Sequence, residues 1–152
     1  MLDDILKQFD PKKATNKQKR NFGEITSQNN MLKNPNLKRI GDNAPGSLDD
    51  KIKKGIDGIY ENTAYPPPPK YIIDEAKYNT SKLNPKTKDG PQMGDDWIRN
   101  RLDQVDPDVA DDIMRAMDRG EVDKVLSQID ELGNVTTSRL GSPGNGVIGS
   151  WP

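Results

Sequence analysis

The stretch YIIDEAKYN, Tyr71 to Asn79, decides how this chain folds. It opens with the aromatic and β-branched residues of a buried strand. It then runs into Asp74, Glu75 and Lys77 with no Gly or Pro to end the strand. Side chains alternate between the two faces of a strand, so Glu75 and Lys77 share a face with Tyr71 and Ile73, while Ala76 faces the other way. Acidic residues are depleted in strands, and charge costs free energy wherever a strand is half buried. A carboxylate and an amine side by side on one face of a core strand therefore need a use.

Upstream, GIDGIY reads as a short strand around Ile56–Tyr60, although its two glycines weaken that reading. The loop TAYPPPPK turns the chain from this strand into Tyr71–Tyr78. Residues 17–33 show a helical period with Phe22, Ile25 and Leu32 on one stripe and Glu24 at its edge, stopped by Asn34-Pro35-Asn36. MLDDILKQFD can form a short helix ahead of a basic connector. Downstream, DDWIRNRLDQV and DPDVADDIMRAMDRG read as two helices, with Pro107 in the first turn of the second and Gly120 at its end. KVLSQIDELGNVTTSRL reads as a β-hairpin turning at Leu132-Gly133-Asn134, and GSPGNGVIGSWP reads as a tail. The sum is a mixed α+β or α/β domain, a small mixed β-sheet flanked by helices, over residues 17–152. Residues 1–16 read as a linker or weakly ordered segment.

Composition narrows the chemistry. The 152 residues are 31% hydrophobic and 31% charged, enough for one modest core, and include twelve Pro and thirteen Gly that imply much irregular backbone. There is no Cys and no His. That excludes Cys/His zinc sites, Cys–His and Ser–His nucleophiles and a histidine base, and leaves carboxylates, Lys, Tyr or metal-activated water. No apolar run approaches the roughly 18 residues of a membrane span, so no membrane insertion is expected. The net charge of −1 hides a gradient: residues 1–55 carry twelve Lys/Arg against seven Asp/Glu, and residues 91–152 carry six against twelve. A basic front suits phosphates and an acidic back suits a basic partner, although two solvated faces would look the same.

If the strands bearing Asp57 and Glu75 pair as an antiparallel hairpin, the two carboxylates come close to each other and to Lys77. Two carboxylates with a nearby lysine suit a hard cation such as Mg²⁺ (or Mn²⁺), which takes one or two carboxylates plus phosphate oxygens. Lys77 can then polarise water or neutralise charge developing on a phosphate. On spacing alone, an ordinary cross-strand ion pair remains open, worth well under about 1 kcal/mol if exposed. Other motifs lead nowhere. GNGVIG at Gly144–Gly149 has dinucleotide-binding spacing but no following helix. Pro66–Pro69 is better suited to stiffening a connection than to recruiting a polyproline-binding partner.

An acid on one strand followed by E-x-K on the next resembles the PD-(D/E)XK nuclease superfamily. FGE at Glu24, GIDGIY, DEAKY, KDGPQMGDDWIRNRL and the ending DELGNVTTSRL…GVIGSWP together resemble the C-terminal nuclease domains of bacterial polymorphic toxins of the LXG and contact-dependent-inhibition types. The resemblance spans about Lys17 to Pro152. It implies a PD-(D/E)XK-like fold, with Glu24 as a helix acid supporting the metal or Lys77. Asp57, Glu75 and the carbonyl of Ala76 become metal ligands, Lys77 the catalytic lysine, and Gln92 the glutamine that orients water or phosphate. Asp57 lacks the preceding Pro of the family pattern, and the chain is not basic overall.

The expectation is therefore a Mg²⁺-dependent DNA endonuclease. It would be the toxic part of a larger secreted bacterial protein, acting in the cytoplasm of the target cell and neutralised by a cognate immunity protein. DNA phosphates would meet Lys12, Lys13, Lys17, Lys19 and Arg20. An RNase on the same fold and a non-enzymatic binding or immunity module are the alternatives.

Overall fold

The computed structural model describes residues 2–152. The elements are α1 (Leu2–Gln8), α2 (Asn16–Met31), β1 (Leu37–Arg39), β2 (Gly58–Asn62), β3 (Tyr71–Tyr78), α3 (Asp95–Arg99), a single 3₁₀ turn (Leu102–Gln104), α4 (Pro107–Asp118), β4 (Val122–Ile129), β5 (Val135–Leu140) and β6 (Val147–Ser150). The six strands form one mixed sheet in sequential order. β3 and β4 pair in parallel, and every other neighbouring pair is antiparallel. A parallel pair needs a long crossover, and here it consists of the loop after β3, α3, the 3₁₀ turn and α4.

Strand alternation divides the core into two layers. Ile59, Tyr71 and Ile73 face one way, onto Trp97, Ile98 and Leu102 and onto Ile113 and Ala116 of α4. Tyr60, Ile72 and Val125 face the other way with Met31, and Ile129 packs there with Phe22 and Ile25 of α2. β3 is thus covered on both faces, which is why its first five residues are all buried. Helix α2 begins with a capping box in which Thr15 Oγ1 accepts from Gln18 N–H and the Gln18 side chain accepts from Thr15 N–H. Helix α4 has Pro107 in its first turn, and Asp106 caps the Asp108 N–H.

Four sequence readings change. The opening segment is not merely a linker: Ile5 and Phe9 are buried, and the Phe9 ring stacks on Phe22 with centroids 3.9 Å apart. The strand expected at Ile56–Tyr60 starts only at Gly58, so Asp57 stands just ahead of it. The helix expected over DDWIRNRLDQV is shorter and gives way to the 3₁₀ turn. The C-terminal tail is a strand, β6, ordered by its ladder to β5 although all four of its residues are exposed. A backbone ladder leaves no periodic apolar signature when neither face is covered. Among the described residues no helix is long and apolar enough to cross a membrane.

Candidate active site

The β2–β3 register continues past its last pair, Gly58↔Asp74, so Asp57 comes opposite Glu75. The Asp57 carboxylate accepts the Ala76 N–H at 2.9 Å through Oδ2, which ties it to the middle of the E-x-K motif. Its carboxyl is the close neighbour of both the Glu75 and the Glu24 carboxyls. On the same face of β3, Lys77 Nζ stands 3.5 Å from Glu75 Oε2. These groups open into one cleft of about 600 Å³, lined by Glu24, Asp57, Glu75, Ala76, Lys77 and Gln92 together with Lys19 and Arg20.

Helix geometry explains one wall. Asn16, Arg20 and Glu24 are spaced four residues apart, which aligns them along one side of α2, and all three line the cleft. Lys17 is rotated off that stripe, and Lys12 and Lys13 lie in the turn before the helix. Of the five basic residues expected at phosphates, only Lys19 and Arg20 line the cleft, while Lys12, Lys13 and Lys17 stay on the exposed surface outside it. The opposite wall includes Gln92. Its Oε1 accepts the Asn84 N–H at 2.9 Å and its own N–H bonds Asn84 O at 2.8 Å, which fastens the loop after β3. The Gln92 amide NH₂ is left as the donor this side chain can offer.

Crowding dominates the electrostatics. Burial, with the Asp57 carboxyl next to it, pushes Glu24 up to about 8, and Arg20 and Arg39 partly offset this. Burial, with Asp57 again the main neighbour, pushes Glu75 well above the usual carboxylate range, against the pull of Lys77. Glu75 is only 5% exposed, and its Oε1 is buried with no hydrogen-bond partner. An orphaned carboxylate oxygen beside two further carboxyls is an arrangement that a cation relieves. Among the described residues no three His, Cys, Asp or Glu side chains form a ready metal site. Asp57 and Glu75, with the backbone at Ala76, make a more open oxygen set, of the kind Mg²⁺ uses when it keeps several waters. The residues present fit such an ion.

Three features of the site were not anticipated from sequence. Asp74, on the opposite face from Glu75, is completely buried, and both its oxygens are bonded: Ser127 Oγ donates at 2.6 Å, and Ser27 Oγ of α2 donates to the other oxygen. Burial pushes it up to about 7 while the two hydroxyls hold it down. It bolts α2, and with it Glu24, onto β3 and β4. The others are Arg39 and Gln104, which grip the backbone around Asp57. Compared with protein-family models, curated proteins and solved structures, the chain matches none.

Proposed function

We propose that this chain is a divalent-metal-dependent nuclease with a PD-(D/E)XK-like site, hydrolysing DNA as the toxic part of a bacterial antagonism protein that its producer neutralises with an immunity protein. One observation carries the nuclease reading: Glu24, Asp57, Glu75, Lys77 and Gln92, chosen from separate stretches of sequence, line a single cleft together with Lys19 and Arg20. A cross-strand ion pair serving only the fold would need neither Glu24 nor Gln92. The toxin reading rests on the sequence resemblance.

In this reading Asp57 and Glu75, with the Ala76 backbone, would hold the cation. When bound, the ion supplies Lewis-acid polarisation of the phosphodiester. Glu24, which holds its proton at neutral pH in the free protein, would add negative charge from the α2 side only with a cation beside it. Lys77 carries its ammonium into the cleft, where it can hydrogen-bond the attacking water or a phosphate oxygen and balance the charge that develops as the P–O bond breaks. Gln92 offers its NH₂ to orient a phosphate oxygen. Lys19 and Arg20 draw the nucleic-acid backbone towards the carboxylates, which would otherwise repel it.

The test is incubation of the purified chain with plasmid DNA and with total RNA, in MgCl₂, in MnCl₂ and in EDTA. DNA cleavage that needs the metal and is lost in Lys77→Ala is expected. Cleavage of RNA alone would select the RNase reading. Cleavage of neither under any condition would refute the enzyme and favour a binding module.

A further inference from the structure

Asp57 holds the central place among the three carboxyls, yet it belongs to no regular element. The β2–β3 ladder ends at Gly58↔Asp74, and β1 reaches only to Tyr60 through its pair with Arg39. A backbone segment outside a ladder must find other hydrogen-bond partners or leave its polar groups unsatisfied. Here side chains supply them. Gln104 Oε1 accepts the Ile56 N–H at 2.8 Å, and Gln104 Nε2 donates to Ile56 O at 3.2 Å, so a single amide grips both polar groups of one residue as a neighbouring strand would. Asn43 Nδ2 adds a second donor to Ile56 O, also at 3.2 Å. Arg39 Nη2 donates to Asp57 O at 2.7 Å and to Asn43 Oδ1 at 3.1 Å. Its Nη1 donates to the Tyr60 hydroxyl at 3.3 Å, and its guanidinium carbon stands 5.7 Å from the Tyr60 ring centroid.

Two glycines make room for this grip. Gly55 has φ +118°, and a Cβ there would collide with Gln104 Oε1. A Cβ on Gly58 would stand 2.8 Å from the Tyr60 ring on which Arg39 rests. The glycines that weaken GIDGIY as a strand are what let Gln104 and Tyr60 close on either side of Asp57.

We infer that Gln104 and Arg39 are positioning residues of the proposed nuclease site, clamping the Ile56–Asp57 backbone so that the Asp57 carboxylate stands between Glu24 and Glu75. The inference rests on the nuclease reading of the same cleft. It places part of the site's geometry in the 3₁₀ turn that carries Gln104, 48 residues from Ile56 in sequence and across the sheet from α2. Neither side chain touches substrate; both act through the backbone of a ligand. Outer-shell partners of metal ligands commonly contribute about 10- to 100-fold in metal affinity or activity.

The experiment measures Mn²⁺ binding by the loss of free-ion EPR signal, together with the Mg²⁺ dependence of DNA cleavage. The proteins are wild type, Gln104→Met, Arg39→Lys and, as a control, Asp57→Asn. Expected for Gln104→Met and Arg39→Lys are a rise of roughly tenfold or more in the Mn²⁺ dissociation constant and in the Mg²⁺ needed for half-maximal rate, with KM for DNA within about twofold. Arg39→Lys keeps the charge, so its loss would be assigned to the lost fork geometry. If Gln104→Met does not fold, Gln104→Glu, which keeps the acceptor for Ile56 N–H and loses the donor, reads the same quantities. Variants that melt earlier but bind Mn²⁺ as tightly as wild type would overturn the clamp and leave the nuclease reading standing. A wild-type chain that neither binds Mn²⁺ nor cleaves nucleic acid would overturn both.

Discussion

Replacing Glu24 by Gln should make this protein more stable and less active, with the gain in stability depending on pH. In the fold, burial and the adjacent Asp57 carboxyl move Glu24 from 4.5 up to about 8. The folded chain therefore holds a proton that the unfolded chain has lost, throughout the interval between those values. Stability falls where the folded state binds more protons, so wild type weakens as pH rises from about 4.5 to 8 and levels off above that. The amide of the Glu24→Gln variant carries no such proton, so the variant's advantage is near zero at about pH 4.5 and complete by about pH 9. The interval spans some 3.5 pH units at 1.36 kcal/mol each, a ceiling of about 5 kcal/mol. Glu24 keeps part of its side chain in the water of the cleft, and screening there brings the expected gain down to roughly 2 kcal/mol. For a chain of this length that is about 4–8 °C in melting temperature. Calorimetry at pH 5, 7 and 9, with and without MgCl₂, reads it directly. At pH 9 the metal should narrow the gap by stabilising wild type more than the variant. A Glu24→Gln protein that is less stable than wild type at pH 9 would refute the reasoning. Glu24 would then be a satisfied structural carboxylate, not one held at a cost for the site.

Other outcomes follow from the same geometry. Asp57→Ala, Glu75→Ala and Lys77→Ala should each abolish cleavage nearly as fully as any pair of them, since they act as a unit; near-wild-type cleavage by one would remove that residue from the mechanism. Lys19→Glu and Arg20→Glu should weaken DNA binding and flatten its salt dependence by close to one phosphate contact each, whereas Lys12→Glu, Lys13→Glu and Lys17→Glu should do so less. Equal effects at all five would mean that DNA runs over the exposed turn as well as the cleft. An immunity protein docking on the acidic helices should associate roughly tenfold more slowly with Asp108→Lys/Asp111→Lys, while DNA cleavage is unchanged. Asp112 is unsuitable for that experiment, because it accepts the Tyr71 hydroxyl at 2.5 Å and pairs with Lys70 at 2.7 Å. An unchanged association rate, with DNA and inhibitor in competition, would place the inhibitor over the cleft instead.

What could be read from sequence was whatever has a period. The apolar spacing around Phe22 and Ile25, the first-turn proline and closing Gly120 of α4 and the hairpin through Gly133 all survive in the fold. The face shared by Glu75 and Lys77 does too, because strand alternation is a local rule needing no knowledge of neighbours. β1, three residues long, and β6, exposed throughout, carry too few patterned residues for that rule to act on. They exist because a ladder partner was already in place beside them. Asp74 shows the limit more sharply. The alternation puts it opposite Glu75, but nothing in YIIDEAKYN says that Ser27 and Ser127, from distant elements, will converge on it.

The clamp on Asp57 was hidden for a related reason, and it changes how GIDGIY should be understood. An acidic residue in the middle of a strand is held by the ladder at the cost of pointing wherever the pleat points. One residue outside the strand it is free to turn towards Glu24 as well as Glu75, but the backbone then loses its partners. Gln104 and Arg39 restore those partners without restoring the ladder, and Gly55 and Gly58 clear the space they occupy. Weak strand propensity at this point is therefore what the proposed site would require. A substitution that improved it, such as Gly55→Val, would remove the freedom Asp57 uses: a Cβ at Gly55 runs into the Gln104 amide, and the residue's φ of +118° is one a β-branched side chain cannot adopt without strain.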